Sequence, residues 1–159
     1  MSSYIMNNLY DLIHLAVLAT LGESFKLSMI LSKVALKNSS LKNPIFIPNL
    51  IYRNLLAVCL VFYLLSEIFL TDNVSGFIAM GIGCLFMANL KEFHYWDLLR
   101  FPPLFAYYLL QFIASLGYLC LGFSQISQQS LEIVQWLIGL GYLGGFVIVY
   151  CRYKPFLGR

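Results

Sequence analysis

Residues 104–123, LFAYYLLQFIASLGYLCLGF, form a run of twenty residues without a charged side chain. A helix needs about 20 predominantly apolar residues to cross the hydrocarbon core of a bilayer. Because no water is present at that depth, the backbone must satisfy its own hydrogen bonds, and a helix does so within one segment. Pro102 and Pro103 precede the run and suit a first helical turn. The run therefore predicts a transmembrane helix.

The composition of the whole chain agrees with this prediction. Of its 159 residues, 60% are hydrophobic and only 11% are charged, and the mean hydropathy is +0.80. Soluble domains carry about 25% charged and 45–50% apolar residues. A water-soluble fold of this length could not bury so much apolar side chain, whereas a bilayer can. The small net charge of +3 does not indicate a nucleic-acid partner, so the lipid bilayer is the first partner expected.

Three further apolar runs have the length of a membrane span. The first follows Pro48, and the last begins near Ser130, an N-cap residue, with Glu132 in the first turn, where the helix dipole favours an anion. We predict an all-α integral membrane protein with four transmembrane helices, preceded by an amphipathic N-terminal helical segment. The transmembrane domain covers residues 43–159, with spans at about 49–70, 74–90, 104–123 and 131–151.

The first 42 residues follow a different pattern. Their uninterrupted apolar core, residues 16–21, is too short to cross a bilayer, and polar residues fall on roughly one stripe of a helix. We expect one amphipathic helix, or two broken at Gly22, on the inner face of the membrane or docked on a partner. The alternative is a fifth span, which would carry Glu23 and Lys26 into the bilayer and reverse the N-terminus.

The positions of the charges also favour four spans. If the N-terminus is inside, all ten basic residues fall in inner segments, as the positive-inside rule requires. The predicted location is a bacterial inner membrane or an organellar inner membrane, with both termini on the cytoplasmic or matrix side. The basic residues are Lys26, Lys33, Lys37, Lys42, Arg53, Lys91, Arg100, Arg152, Lys154 and Arg159.

Small residues indicate where the helices pack closely. Ala79 and Gly83 form a small-xxx-small pair, and Gly141 and Gly145 form a G-x-x-x-G pair, both of which let backbones approach in lipid. We interpret both pairs as contacts within the chain, with a homodimer face as the alternative.

The search for reactive groups yields few candidates. Each of the four cysteines is alone in a predicted span, so we expect buried, inert thiols and no disulfide or metal site. Phosphate-binding and hydrolase motifs do not occur in the sequence. The chain has two histidines, His14 and His94, and a single haem would need both. We predict no cofactor, with haem or quinone as a remote alternative, and we expect bound lipids.

Two groups of residues stand out as functional candidates. Residues 91–101 contain His94 and Asp97, three apart and so on one helical face, beside Trp96, which suits an aromatic belt. This patch is either a docking surface or a site for lipid chemistry or a quinone headgroup. Within the spans, Glu67 and Gln111 are polar groups in lipid, and such groups are functional candidates by default. We expect Glu67 to be shallow and interfacial and Gln111 to bond a neighbouring helix.

The function predicted from these observations is that of a non-catalytic integral subunit of a larger membrane complex, an energy-transducing complex being one candidate. Its partners would be other membrane protein subunits. The first alternative is a small oligomeric transporter or channel, whose marker would be a deep acid lining a solvent cavity. The second is a lipid-modifying enzyme or quinone-binding subunit that uses His94 and Asp97.

Overall fold

The computed structural model describes residues 2–37, 50–90, 100–129 and 132–157, and the side chains of 9–37, 51–90, 100–129 and 132–153. These residues form five helices and no strand. The fifth helix, α5, covers 132–157 and consists of an α-helical turn Glu132–Trp136, a π-helical stretch Leu137–Gly144 and an α-helix Gly145–Leu157. The other helices are α1 Ser2–Lys37, α2 Leu50–Phe69, α3 Asp72–Ala88 and α4 Pro102–Ile126.

Four of these helices are long and apolar enough to cross a membrane, so the predicted all-α membrane class is confirmed. Three of them match predicted spans, at Ile51–Phe69, Pro102–Ile126 and Glu132–Tyr153. The predicted span at 74–90 is helix α3, which has only 17 residues. The fourth long apolar stretch is Leu9–Lys37 in α1, where the sequence predicted an amphipathic segment.

Helix α1 corrects part of that prediction. It continues through Gly22 without a break. A Cβ added at Gly22 would meet nothing within 4 Å, so neither a turn nor a close contact requires glycine at this position. Its buried face carries Val17, Leu21 and Leu27, and the helix packs against α2, α4 and α5. The length and the packing favour the fifth-span alternative, while the placement of α1 relative to a membrane stays a prediction.

The charged residues separate to the two ends of the bundle. Helix α1 runs antiparallel to α2, since His14 meets Tyr63 and Phe25 lies under Arg53, 4.7 Å from the guanidinium carbon. We call one end acidic, where Asp11, Glu67, Asp72 and Glu132 lie, and the other end basic. Glu23 is the exception and pairs with Lys26 at 2.6 Å. The basic residues at the basic end whose side chains the structure describes are Lys26, Lys33, Lys37, Arg53, Arg100 and Arg152.

The helix directions bear on the predicted topology. Helix α1 begins at the acidic end, and α5 ends at the basic end, beside Glu23, to which the hydroxyl of Tyr150 donates a 3.4 Å hydrogen bond. If all five helices cross the membrane, the two termini therefore lie on opposite sides. This differs from the prediction that both lie on the cytoplasmic or matrix side. The charge separation still favours the basic end as the inner one.

The bundle exposes large apolar side chains and buries several polar ones within a largely apolar core. Large apolar side chains such as Phe69, Ile133 and Ile148 are exposed, whereas Gln111, Gln125 and His14 are buried. A bilayer solvates the exposed apolar side chains, whereas the buried polar side chains can be satisfied only by hydrogen bonds inside the bundle. Cys84, Cys120 and Cys151 are exposed on this apolar surface, although the sequence predicted buried thiols.

Helices α3 and α4 pack with their backbones in direct contact. A Cβ on Gly83 would lie 2.9 Å from the carbonyl oxygen of Ser115, and one on Gly76 would lie 2.9 Å from that of Gly122. The Ser115 hydroxyl also donates to the Gly83 carbonyl at 2.8 Å. Ala79 is fully buried on the same helix. The Gly76 and Gly122 contact was not among the predicted packing positions.

The predicted G-x-x-x-G pair of α5 faces α4. A Cβ on Gly141 would meet Ile113 at 3.0 Å, and one on Gly145 would overlap the side chain of Leu110. In this chain the pair therefore lies against a neighbouring helix, and both glycines remain partly exposed. The choice between the intramolecular interpretation and a homodimer face stays a prediction.

We expect impermeant thiol labelling to show that α1 crosses the membrane. In a variant with its four cysteines replaced by alanine, cysteine introduced by Ser3→Cys should react from the same side as that introduced by Gln129→Cys. Cysteine introduced by Arg152→Cys should react only from the opposite side. The measurement is maleimide modification of intact and of permeabilised cells or vesicles. Reaction of the Ser3→Cys and Arg152→Cys variants from one side would restore the interfacial placement of α1.

Candidate functional site

The patch predicted from sequence lies outside the described part of the chain. His94, Trp96 and Asp97 fall within residues 91–99, which the structure does not describe. Their docking or chemical role therefore stays a prediction. The two candidates inside the spans, Glu67 and Gln111, are both described, and each is hydrogen-bonded to another helix. Gln111 is buried, whereas Glu67 is exposed.

Glu67 is joined to α4 through an amide. The side-chain nitrogen Nε2 of Gln125 donates to the Glu67 carboxylate at 2.5 Å and to the Tyr63 hydroxyl at 3.0 Å. A carboxylate only accepts hydrogen bonds when ionised, so the amide nitrogen of Gln125 must face Glu67. Both hydrogens of that nitrogen are then used. The amide oxygen Oε1 of Gln125 is buried and accepts no hydrogen bond.

His14 is the centre of this end of the bundle. Its ring is 2% exposed, its Nδ1 lies 3.0 Å from the Tyr118 hydroxyl, and it meets the ring of Tyr63 edge-on at 4.9 Å. Gln135 of α5 also lies beside the ring. The Nε2 of His14 nevertheless has no hydrogen-bond partner. Four helices thus contribute to one polar layer.

A second polar group lies deeper in the bundle. Gln111 donates from Nε2 to the Ser24 hydroxyl at 3.0 Å, and the same hydroxyl lies 3.1 Å from that of Tyr107. The sequence predicted that Gln111 bonds a neighbouring helix, and its direct partner is Ser24 of α1. Tyr142 of α5 is fully buried, with Ser24 and Gln111 beside its hydroxyl.

The two groups are connected through the bundle. Phe86 stacks on Tyr118 at 5.7 Å and meets Tyr142 at 5.8 Å, so one aromatic ring separates the two layers. Toward the basic end, Phe146 links Tyr142 to Tyr150 through ring contacts at 6.3 and 5.8 Å. We call the resulting line of polar side chains the polar seam: Glu67, Gln125, Tyr63, His14, Tyr118, Tyr142, Gln111, Ser24 and Tyr107.

A cavity of about 500 Å³ lies at the acidic end of the polar seam, and we call it the acidic cavity. Three carboxyl groups line it, from Asp11, Glu67 and Asp72. No basic residue is among the described residues that line it. The remaining lining residues are Tyr10, Ile68, Ser124, Gln125, Gln128, Gln129 and Gln135. Glu67 therefore belongs to a cavity wall. It lies near the end of α2 and is exposed, so its shallow interfacial position stays a prediction.

The turn after α4 helps to form the wall of the acidic cavity. The backbone N–H of Gln128 donates to the backbone carbonyl of Gln125, and the backbone N–H of Gln129 donates to that of Ser124 at 3.0 Å. This pair of bonds is a Schellman motif, which commonly has glycine at its left-handed position. Here Gln128 has that conformation, with φ 54°, and a residue with a side chain is strained there. The turn thereby places an amide side chain at the cavity.

No family model matches the chain, and no curated protein or solved structure matches it. The function is therefore inferred from the polar seam and the acidic cavity. Among the described side chains, no three His, Cys, Asp or Glu residues are close enough together to hold a metal ion. The cofactor and lipid predictions stay predictions.

One face of α4 carried a signal for the polar seam that sequence reasoning did not use. Tyr107, Gln111, Tyr118 and Gln125 are separated by four, seven and seven residues. This spacing places all four on one side of a helix. A polar stripe on an otherwise apolar span indicates a face turned away from lipid. The partners of that stripe on α2 and α5 had no comparable local signal.

Proposed function

We propose that the protein is a small membrane transporter that carries a polar cation through the helix bundle along the polar seam. The observation that carries this proposal is the acidic cavity at one end of the polar seam, whose two polar layers are separated by the ring of Phe86. Its three carboxyl groups without a described basic residue favour a positively charged solute. Glu67, near the end of α2, lines this cavity and would be the first acid of the polar seam that the solute meets.

The extent of the polar seam favours a transport path over a set of hydrogen bonds that only holds the helices together. Isolated polar pairs are enough to hold helices together in lipid. The polar seam instead involves α1, α2, α4 and α5, and the buried Oε1 of Gln125 within it accepts no hydrogen bond. Buried polar groups are normally hydrogen-bonded, and an unpaired one requires an explanation. A passing solute or water would supply the missing partner.

The described conformation is closed below the acidic cavity. Tyr63, His14 and Tyr118 pack together beneath it, all at most 2% exposed. Passage therefore requires these rings to move apart. The π-helical stretch Leu137–Gly144 packs beside this layer, and π-helical segments are often found at functional sites. A shift of α5 at this stretch would open the layer and let the solute reach Tyr142 and Gln111.

Uptake by purified protein in lipid vesicles tests the proposal. We expect at least one of three labelled cations, methylammonium, putrescine or arginine, to enter faster than into protein-free vesicles. Gln111→Leu should reduce that uptake at least about tenfold, because it removes the polar group at the middle of the polar seam. It should leave the fold intact, since a single net hydrogen bond contributes only about 0.5–1.5 kcal/mol and Ser24 keeps Tyr107 as a partner.

The matched control is Leu109→Met, on the exposed side of the same helix. It should transport like the original protein. If none of the three cations enters faster than into protein-free vesicles, or if Gln111→Leu transports normally, the transporter proposal fails.

Membership of a larger complex, the function that the sequence favoured, is the second proposal. The large exposed apolar surface of the described helices is compatible with neighbouring subunits, although lipid covers such a surface equally well. Mild detergent extraction, native electrophoresis and mass spectrometry test it. Co-migration with other membrane proteins supports a subunit, whereas migration of the chain alone favours the transporter. The alternative of a lipid-modifying enzyme or quinone-binding subunit that uses His94 and Asp97 stays a prediction.

A further inference from the structure

We infer that the acidic cavity binds an organic polyamine, a molecule with several ammonium groups joined by short hydrocarbon links. This inference names the solute class of the proposed transporter and so rests on that function for its purpose. The site itself stands on three observations: the charge of the wall, the unpartnered acceptors in it, and the spacing of its acids.

The charge of the wall selects a cation. Asp11, Glu67 and Asp72 come from three different places, namely α1, the end of α2 and the start of α3. Like charges brought together on folding repel one another, and a bound cation removes that repulsion.

The unpartnered acceptors select a cation that donates hydrogen bonds. Gln125 and Gln135 both line the acidic cavity and are 6% and 3% exposed. The Oε1 atom of each accepts no hydrogen bond, and the hydroxyl of Tyr10 on the same wall is also unpaired. The amide nitrogen of Gln125 donates to Glu67 and to the Tyr63 hydroxyl, so the atom left without a partner is its oxygen Oε1. An ammonium group supplies the donors that these oxygens lack.

The separation of the three acids favours a ligand with several separated positive charges over an ion with one concentrated charge. No three acids or other metal-binding side chains converge on a point among the described residues, although three carboxyl groups line about 500 Å³ of space. A cavity of this size suits a small organic ligand. A chain of ammonium groups can reach carboxyl groups on different parts of the wall, and its hydrocarbon links can contact Ile68.

The test is calorimetric titration of the full chain in detergent with spermidine, with magnesium chloride at equal ionic strength as the comparison. We expect saturable binding of spermidine and at least about tenfold weaker binding of Mg²⁺. Asp72→Asn should weaken spermidine binding roughly tenfold, as should Gln135→Leu, which removes an acceptor without changing the charge. Glu132→Gln removes a carboxylate from the same end but outside the cavity wall, and it should bind spermidine unchanged.

Each outcome supports or overturns the site. No saturable binding means that the cavity holds water only, and equal effects of Asp72→Asn and Glu132→Gln mean a diffuse attraction to the acidic end. Unchanged binding by Gln135→Leu, with a normal thermal unfolding profile, overturns the role of the amides. If spermidine binds but no cation is carried into vesicles, the site stands and the transporter fails. If other cations are carried but spermidine does not bind, the transporter stands and the polyamine site fails.

Discussion

Gly122→Ala is expected to destabilise the bundle by roughly 3 kcal/mol or more, the upper part of the range for overpacking. The added Cβ would overlap the carbonyl oxygen of Gly76 and lie 2.9 Å from the backbone nitrogen of Met80. Backbone atoms of a helix cannot rotate away as a flexible side chain can. Helices α3 and α4 would therefore have to separate along their main contact, which also carries the Ser115 hydrogen bond to Gly83.

Gly81→Ala is the matched control, because it makes the same chemical change on α3. A Cβ there would meet nothing within 4 Å, and alanine favours a helix over glycine by up to about 1 kcal/mol. Reversible unfolding of both variants in mixed micelles, followed by circular dichroism, measures the difference. Equal stability of the Gly122→Ala variant and the original protein would contradict the close α3 and α4 packing.

Glu67→Gln is expected to abolish cation uptake while leaving the fold intact. The replacement has the same shape, and its amide oxygen can still accept the hydrogen bond from Gln125, so helices α2 and α4 stay joined. What is lost is the charge on the cavity wall. A hydrogen bond to a charged group contributes about 1.5–3 kcal/mol, which corresponds to a loss of roughly ten- to a hundredfold in affinity.

The measurement is initial uptake into vesicles beside thermal unfolding of the same preparation. Glu132→Gln is again the control, since it lowers the charge of the acidic end by the same amount. Undiminished uptake by the Glu67→Gln variant would remove Glu67 from the transport path. A Glu67→Gln variant that unfolds early would instead show that the carboxylate mainly stabilises the bundle, and uptake per folded protein then decides between the two roles.

The helices themselves could largely be predicted from the sequence. The predicted spans at 49–70 and 104–123 lie within two or three residues of Leu50–Phe69 and Pro102–Ile126 at each end. Hydropathy is a local sum, and prolines mark helix starts locally, so both are available without tertiary structure. Helix α1 was predicted less well, because its polar residues interrupt the apolar run on which such a prediction depends.

The candidate site could not be assembled in the same way. Glu67 and Gln111 were identified as polar groups in spans, but their partners are distant in the chain. His14 and Tyr118 are 104 residues apart, and Glu67 and Gln125 are 58 apart. Which pairs meet depends on the rotation of each helix about its own axis, and a single sequence does not contain that rotation explicitly.

The sequence by itself determined the membrane class, the helical bounds and the separation of basic from acidic residues along the chain, because each follows from local composition. Only the tertiary structure decided that α1 joins the bundle, that the helices turn their polar faces to one polar seam, and that the acids of three segments line one cavity. The physical reason is that lipid gives no hydrophobic drive for helices to associate. The close approach of Gly76 to Gly122 and the burial of each polar group against a partner therefore select the arrangement, and both are properties of pairs.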